Sequence, residues 1–93
     1  MSWKIEIKPT AEKSYLRIDK KTRQRVKNAL RELEFSGDPF LHPNVRGLTG
    51  KLYGDYRMRV GRWGILFTPD KASMTFYVYA ILPRKDSYSY NRI

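Results

Sequence analysis

Apolar positions along this chain change period several times, and each change marks an element. From Trp3 to Lys8 apolar and charged residues alternate one for one, the pattern of a half-buried strand. Pro9 stops that strand. Thr10 is placed to cap a helix in which Ala11, Ser14, Tyr15 and Ile18 recur at i, i+3, i+4 and i+7. Asp19 can cap a second helix, where Val26, Ala29, Leu30 and Leu33 repeat the spacing before Gly37 and Pro39 close it. The other face of that helix carries Lys20, Lys21, Arg23, Arg25, Lys27 and Arg31, either a solvated surface or one that lies against phosphates. Residues 38–50 are predicted as loop, on Asp38-Pro39, His42-Pro43 and the glycines Gly47 and Gly50. Three strands follow, over Leu52–Val60, Trp63–Thr68 and Met74–Leu82. The expected fold is α+β, with order β-α-α-β-β-β. A two-helix hairpin packs on one face of a largely antiparallel, twisted sheet and leaves the other face open.

The connection Gly61-Arg62 sets a register. A two-residue Gly-X turn pairs Val60 with Trp63, Arg59 with Gly64, Met58 with Ile65, Arg57 with Leu66 and Tyr56 with Phe67. Because side chains alternate, Tyr56, Met58, Val60, Trp63, Ile65 and Phe67 share the face under the helices. Arg57 and Arg59 are left on the open one. In the last strand Phe76, Val78 and Ala80 are the expected core set, which sends Tyr77 and Tyr79 to the open face as well. Guanidinium groups mixed with rings suit single-stranded RNA, whose phosphates bind arginine and whose unstacked bases lie on aromatic side chains.

Composition sharpens this. The 93 residues make one domain, 1–93, without internal repeats. Nineteen Lys and Arg against nine Asp and Glu give +10, which an acidic protein would fit as well as a nucleic acid on charge alone; the distribution of the charge favours nucleic acid. No apolar run reaches the roughly 18–20 residues of a membrane span, and no helix pairs a basic face with an aromatic one, so no membrane partner is expected. An opening segment without an apolar core, together with the lack of cysteine, points to the cytoplasm. A single histidine, His42 in a Pro-flanked loop, and scattered carboxylates offer no metal-ligand set. No Walker or GxGxxG loop is present, so no cofactor and no small-molecule ligand is expected. The catalytic tools left are Arg, Lys and Tyr, which suit chemistry limited by negative charge building on phosphate.

Two motifs carry a family resemblance. Leu48-Thr49-Gly50-Lys51-Leu52-Tyr53-Gly54-Asp55-Tyr56-Arg57-Met58-Arg59-Val60-Gly61-Arg62-Trp63, followed by an apolar strand, resembles the RelE/ParE toxin superfamily. The tail Leu82-Pro83-Arg84-Lys85-Asp86-Ser87-Tyr88 is similar to its closing motif, basic residues ahead of a tyrosine. The resemblance covers nearly the whole chain and favours the RelE-like branch.

That branch implies the toxin of a type II toxin–antitoxin system, a ribosome-dependent endoribonuclease. Such a toxin cleaves translated mRNA in the A site without a metal, by attack of the ribose 2′-OH on the adjacent phosphate. The roles implied fall on Arg57 and Arg59 as phosphate holders, on Arg84 as the group that stabilises developing charge, and on Tyr88 as the group that takes or orients the 2′-OH proton. Tyr90 is an alternative alignment for Tyr88. Lys51, Arg62, Tyr77, Tyr79 and Lys85 complete the expected RNA-binding set. Where the family often has arginine, this chain has Gly64, which shifts that role to Arg62 or Lys51 if it is filled at all. The implied partners are mRNA, a 70S-type ribosome and a cognate antitoxin with an acidic, amphipathic segment. Two other functions fit the same pattern: a ParE-like gyrase-inhibiting toxin, and a non-catalytic RNA- or DNA-binding module.

Overall fold

A computed structural model describes the backbone of residues 3–88 and the side chains of residues 3–86. Its elements are β1 (Lys4–Ile7), α1 (Pro9–Arg17), α2 (Lys20–Glu34), β2 (Val45–Gly47), β3 (Tyr56–Val60), β4 (Trp63–Asp70), β5 (Thr75–Pro83) and a short α3 (Arg84–Tyr88). Short 3-10 turns occupy Pro39–Leu41 and Gly50–Leu52. The sheet order is β1-β5-β4-β3-β2, with β1 parallel to β5 and every other pair antiparallel.

The helices start where local chemistry directs. Pro9 occupies the first turn of α1, where a missing N–H costs nothing. Thr10, expected as the cap, sits inside that turn and donates its hydroxyl to the Tyr79 carbonyl at 3.2 Å. Asp19 does cap α2. It accepts the Thr22 N–H at 3.0 Å and the Thr22 hydroxyl at 2.7 Å, and the hydroxyl contact above all lowers its carboxyl below the ordinary aspartate value. Val26, Leu30 and Leu33 form the buried stripe of α2.

The hairpin register is as expected, from Tyr56 opposite Phe67 through Arg59 opposite Gly64 to Val60 opposite Trp63. Gly61, at φ +59°, supplies the left-handed turn residue. Met58, Val60, Ile65 and Phe67 are buried beneath the helices. Trp3 stacks on Phe76 with centroids 4.6 Å apart, and Phe40 meets both rings edge-on.

Three further expectations change. The predicted loop 38–50 contains a strand, β2, which adds to the sheet edge with Val45 opposite Met58 and Arg46 opposite Arg57. The strand expected from Leu52 begins at Tyr56, because the 3-10 turn at Gly50–Leu52 and the left-handed Gly54 (φ +100°) come first. Ala80 is buried as expected but lies outside the helix-side cluster. A bulge between Leu66 and Phe67 on one strand leaves Tyr79 unpaired on the other, so Ala80 comes opposite Leu66 and Ile81 opposite Ile65. Ile81 thereby takes the core position. Among the described residues no helix is long and apolar enough to cross a membrane.

Candidate nucleic-acid interface

The face away from α1 and α2 gathers arginines from three parts of the chain. Alternation along β3 projects Arg57 and Arg59 onto it, and pairing with β2 sets Arg46 across from Arg57. At the start of α3, the Arg84 N–H donates to the Arg62 carbonyl at 2.7 Å, which anchors the helix against the β3–β4 turn. Arg46, Arg57, Arg59 and Arg84 line one pocket of about 130 Å³, closed on one side by Pro43 and Asn44. Arginine stays charged in proteins, so these groups repel one another and the pocket suits an anion. A tetrahedral phosphate presents oxygens in several directions, matching donors that arrive from several strands.

The loop beside the pocket is held from behind. Asn44 donates its N–H to His42 Nδ1 at 3.1 Å, which leaves Nε2 as the donor to the Glu32 carboxylate at 3.0 Å. Asn44 in turn accepts the Arg59 N–H on its carbonyl at 2.9 Å. His42 therefore supports the wall and does not line the pocket.

Of the residues proposed from sequence, Arg57, Arg59 and Arg84 come together. Arg62 and Lys85 line an adjoining depression with Pro83, and Arg84 is common to both hollows. Lys51 is exposed on the Gly50–Leu52 turn and does not line the arginine pocket. Tyr77 lies on the open face with the Lys8 ammonium 5.1 Å from its ring centroid. Tyr79 donates its hydroxyl to Asp55 Oδ2 at 2.9 Å. Since β4 lies between β5 and β3, that ring passes over β4, where Leu66 is fully buried. The face is thus less bare than expected. Gly64, opposite Arg59, is also buried. Tyr88 ends α3 one turn beyond Arg84, but its side chain lies outside the described residues, as does Tyr90.

Sequence reasoning missed Arg46. Only the pairing of Val45 with Met58 in the core turns Arg46 outward, and a three-residue strand leaves no local periodicity to reveal it.

Neither a protein-family model nor any curated protein matches the sequence. Solved structures do. The archaeal RelE–RelB complex from Pyrococcus horikoshii OT3 aligns with a TM-score of 0.72 and 21 % identity over 90 % of this chain and 97 % of that one. The RelB–RelE antitoxin–toxin complex from Methanococcus jannaschii gives 0.71 and 25 % over 91 % and 96 %. A mutant E. coli toxin RelE in the free state gives 0.71 and 18 % over 97 % and 92 %. The chain has the fold of the RelE-like toxin superfamily.

Proposed function

We propose that this protein is the toxin of a type II toxin–antitoxin pair and that it acts in the cytoplasm as a metal-independent endoribonuclease on translated mRNA in the ribosomal A site. The observation that carries the reading is the pocket of about 130 Å³ on the sheet face, to which four arginines from three chain segments contribute.

The chemistry follows from what such a pocket stabilises. Attack of a ribose 2′-OH on the adjacent phosphate forms the O2′–P bond and breaks the P–O5′ bond. A 2′,3′-cyclic phosphate and a 5′-hydroxyl result. Negative charge grows on the non-bridging oxygens in between, where fixed guanidinium donors act most strongly. Arg46, Arg57 and Arg59 hold the phosphate on the sheet, and Arg84 approaches from α3 to stabilise the added charge. Tyr88, one helical turn further on, takes the 2′-OH proton or orients that hydroxyl. Lys51, Arg62, Lys85, Tyr77 and Tyr79 extend the RNA contact beyond the reacting phosphate.

Several neighbours of this fold are complexes with a RelB antitoxin. By analogy, a cognate antitoxin with an acidic, amphipathic segment neutralises the arginine face here and orders as it binds.

Mapping mRNA 5′ ends shortly after induction tests the reading. The expected result is new ends at a fixed position within codons, lost when translation is blocked beforehand. A gyrase-poisoning toxin instead stops DNA synthesis first, and a non-catalytic binding module stops neither; either result overturns the proposal.

A further inference from the structure

One residue of the arginine pocket differs in kind from the rest. Among the described side chains lining it, Arg46, Arg57, Arg59 and Arg84 are donors only and Pro43 carries no polar group, so the Asn44 amide is the one side chain that can accept a hydrogen bond. A phosphodiester has no proton for such a group to accept. A carboxylate at this place would pair with the guanidinium groups and compete with the phosphate. A neutral amide oxygen accepts a hydrogen bond without doing so.

Asn44 is held in a way that keeps its side chain available. Its N–H donates to His42 Nδ1 at 3.1 Å and its carbonyl accepts the Arg59 N–H at 2.9 Å, which fixes the main chain on both sides beside β3. The usual structural reasons for asparagine are a left-handed backbone or a turn bond made by its own side chain. Asn44 has a negative φ, and its amide has no hydrogen-bond partner among the described residues. The bond from its N–H is the i-to-i+2 bond that Asn and Asp side chains make in turns, here made by an imidazole. The other ring nitrogen of His42 donates to Glu32 on α2 at 3.0 Å, and the His42 side chain is only 7 % exposed. The carboxylate needs a proton on Nε2, which keeps Nδ1 an acceptor.

We propose that Asn44 is a specificity-determining residue that recognises the ribose 2′-hydroxyl beside the arginine-held phosphate, and that His42 positions it. The amide oxygen accepts a hydrogen bond from that hydroxyl. An amide is too weak a base to remove the proton, so Asn44 selects and orients the hydroxyl and does not replace Tyr88. The 2′-hydroxyl is the group by which a protein tells RNA from DNA. The inference rests on the arginine pocket being an RNA phosphate site, and it adds how that site selects ribose.

The test is equilibrium binding, at low salt and without ribosomes, of two single-stranded oligouridylate hexamers, one with ordinary ribose and one 2′-fluorinated throughout. Fluorine keeps a ribose-like sugar pucker and removes the donor. The unsubstituted protein should bind the ribose hexamer about three- to tenfold more tightly, the contribution of one neutral hydrogen bond. Asn44→Ala breaks no side-chain bond within the described residues. It should weaken only the ribose hexamer and bring the two within about twofold of each other. His42→Leu should do the same, while His42→Asn, which restores an acceptor for the Asn44 N–H, should keep the preference. No preference in the unsubstituted protein, a preference that survives Asn44→Ala, or equal weakening of both hexamers by Asn44→Ala overturns the assignment and leaves the phosphate reading standing. A preference that survives His42→Leu removes the positioning role. Failure of both hexamers to bind would instead sink the RNA reading of the arginine pocket, and this inference with it.

Discussion

Arg46 on β2 stands directly opposite Arg57 on β3. Like charges in that relation weaken a strand pair, by a few tenths to about 1 kcal/mol relative to neutral neighbours. The sheet edge carries that cost at a place where both side chains border a pocket shared with Arg59 and Arg84. A phosphate in the pocket places negative charge between the guanidinium groups and offsets their repulsion.

Arg46→Gln should accordingly have two effects of opposite direction. Ribosome-dependent cleavage should fall, by about 10²-fold if Arg46 acts on the transition state as a single electrostatic donor does. The melting temperature should stay level or rise slightly. Cleavage assays and thermal unfolding of one variant check both, and a loss of activity accompanied by a clear loss of stability would mark Arg46 as structural.

Arg84 and Tyr88 belong to α3, and Arg84 lies outside the buried core formed by α1, α2 and the sheet. Arg84→Ala and Tyr88→Phe should each lower cleavage by about 10²-fold or more while the fold survives. The two losses should also combine to less than their product, because residues that act on one step as a unit are not additive. If Tyr88→Phe cleaves at the unsubstituted rate and Tyr90→Phe does not, the tail motif aligns two residues later.

Much of this arrangement was legible in the sequence because short-range chemistry dictated it. Gly61-Arg62 set the hairpin register, and with it the outward side of Arg57 and Arg59 and the position of Gly64. Asp19 and the apolar spacing from Val26 to Leu33 marked α2. What escaped depends on tertiary pairing. Three residues, Val45–Gly47, are too few for a period of two to be seen, so β2 and Arg46 read as loop. The bulge at Tyr79 exists only in the pairing of β5 with β4, and strict alternation therefore assigned Ala80 to the wrong face. The bond from Tyr79 to Asp55 spans 24 residues of sequence and leaves no local trace.

Gly64 illustrates how burial changes an expectation. Opposite Arg59 and where related toxins often carry arginine, it reads from sequence either as a lost charge or as a clearing for the RNA backbone. The structure buries it. An arginine introduced there must displace what covers the strand, and overpacking of that kind typically costs about 1–3 kcal/mol. Gly64→Arg should therefore lower both the unfolding midpoint and cleavage. Gly64→Ala should do the same to a smaller degree. Raised cleavage in Gly64→Arg at unchanged stability would show that the position lacks only its charge.

The salt dependence of RNA binding tests whether the four arginines act on one phosphate or on several. For single strands the logarithm of the binding constant falls with the logarithm of salt at a slope of about 0.7 per phosphate neutralised. Four arginines on four phosphates would contribute about 2.8 to that slope. A pocket of about 130 Å³ has room for one phosphate, so the four together should contribute only about 0.7. Arg46→Ala or Arg59→Ala should then weaken binding while leaving the slope almost unchanged, because the remaining guanidinium groups still neutralise the same anion. Lys85→Ala, outside the pocket, should remove a phosphate contact of its own and reduce the slope by about 0.7. Titrations of one RNA at several salt concentrations separate these cases. Slopes that drop by about 0.7 for each pocket arginine removed would place the guanidinium groups along the RNA backbone and remove the basis for their joint action on a single transition state.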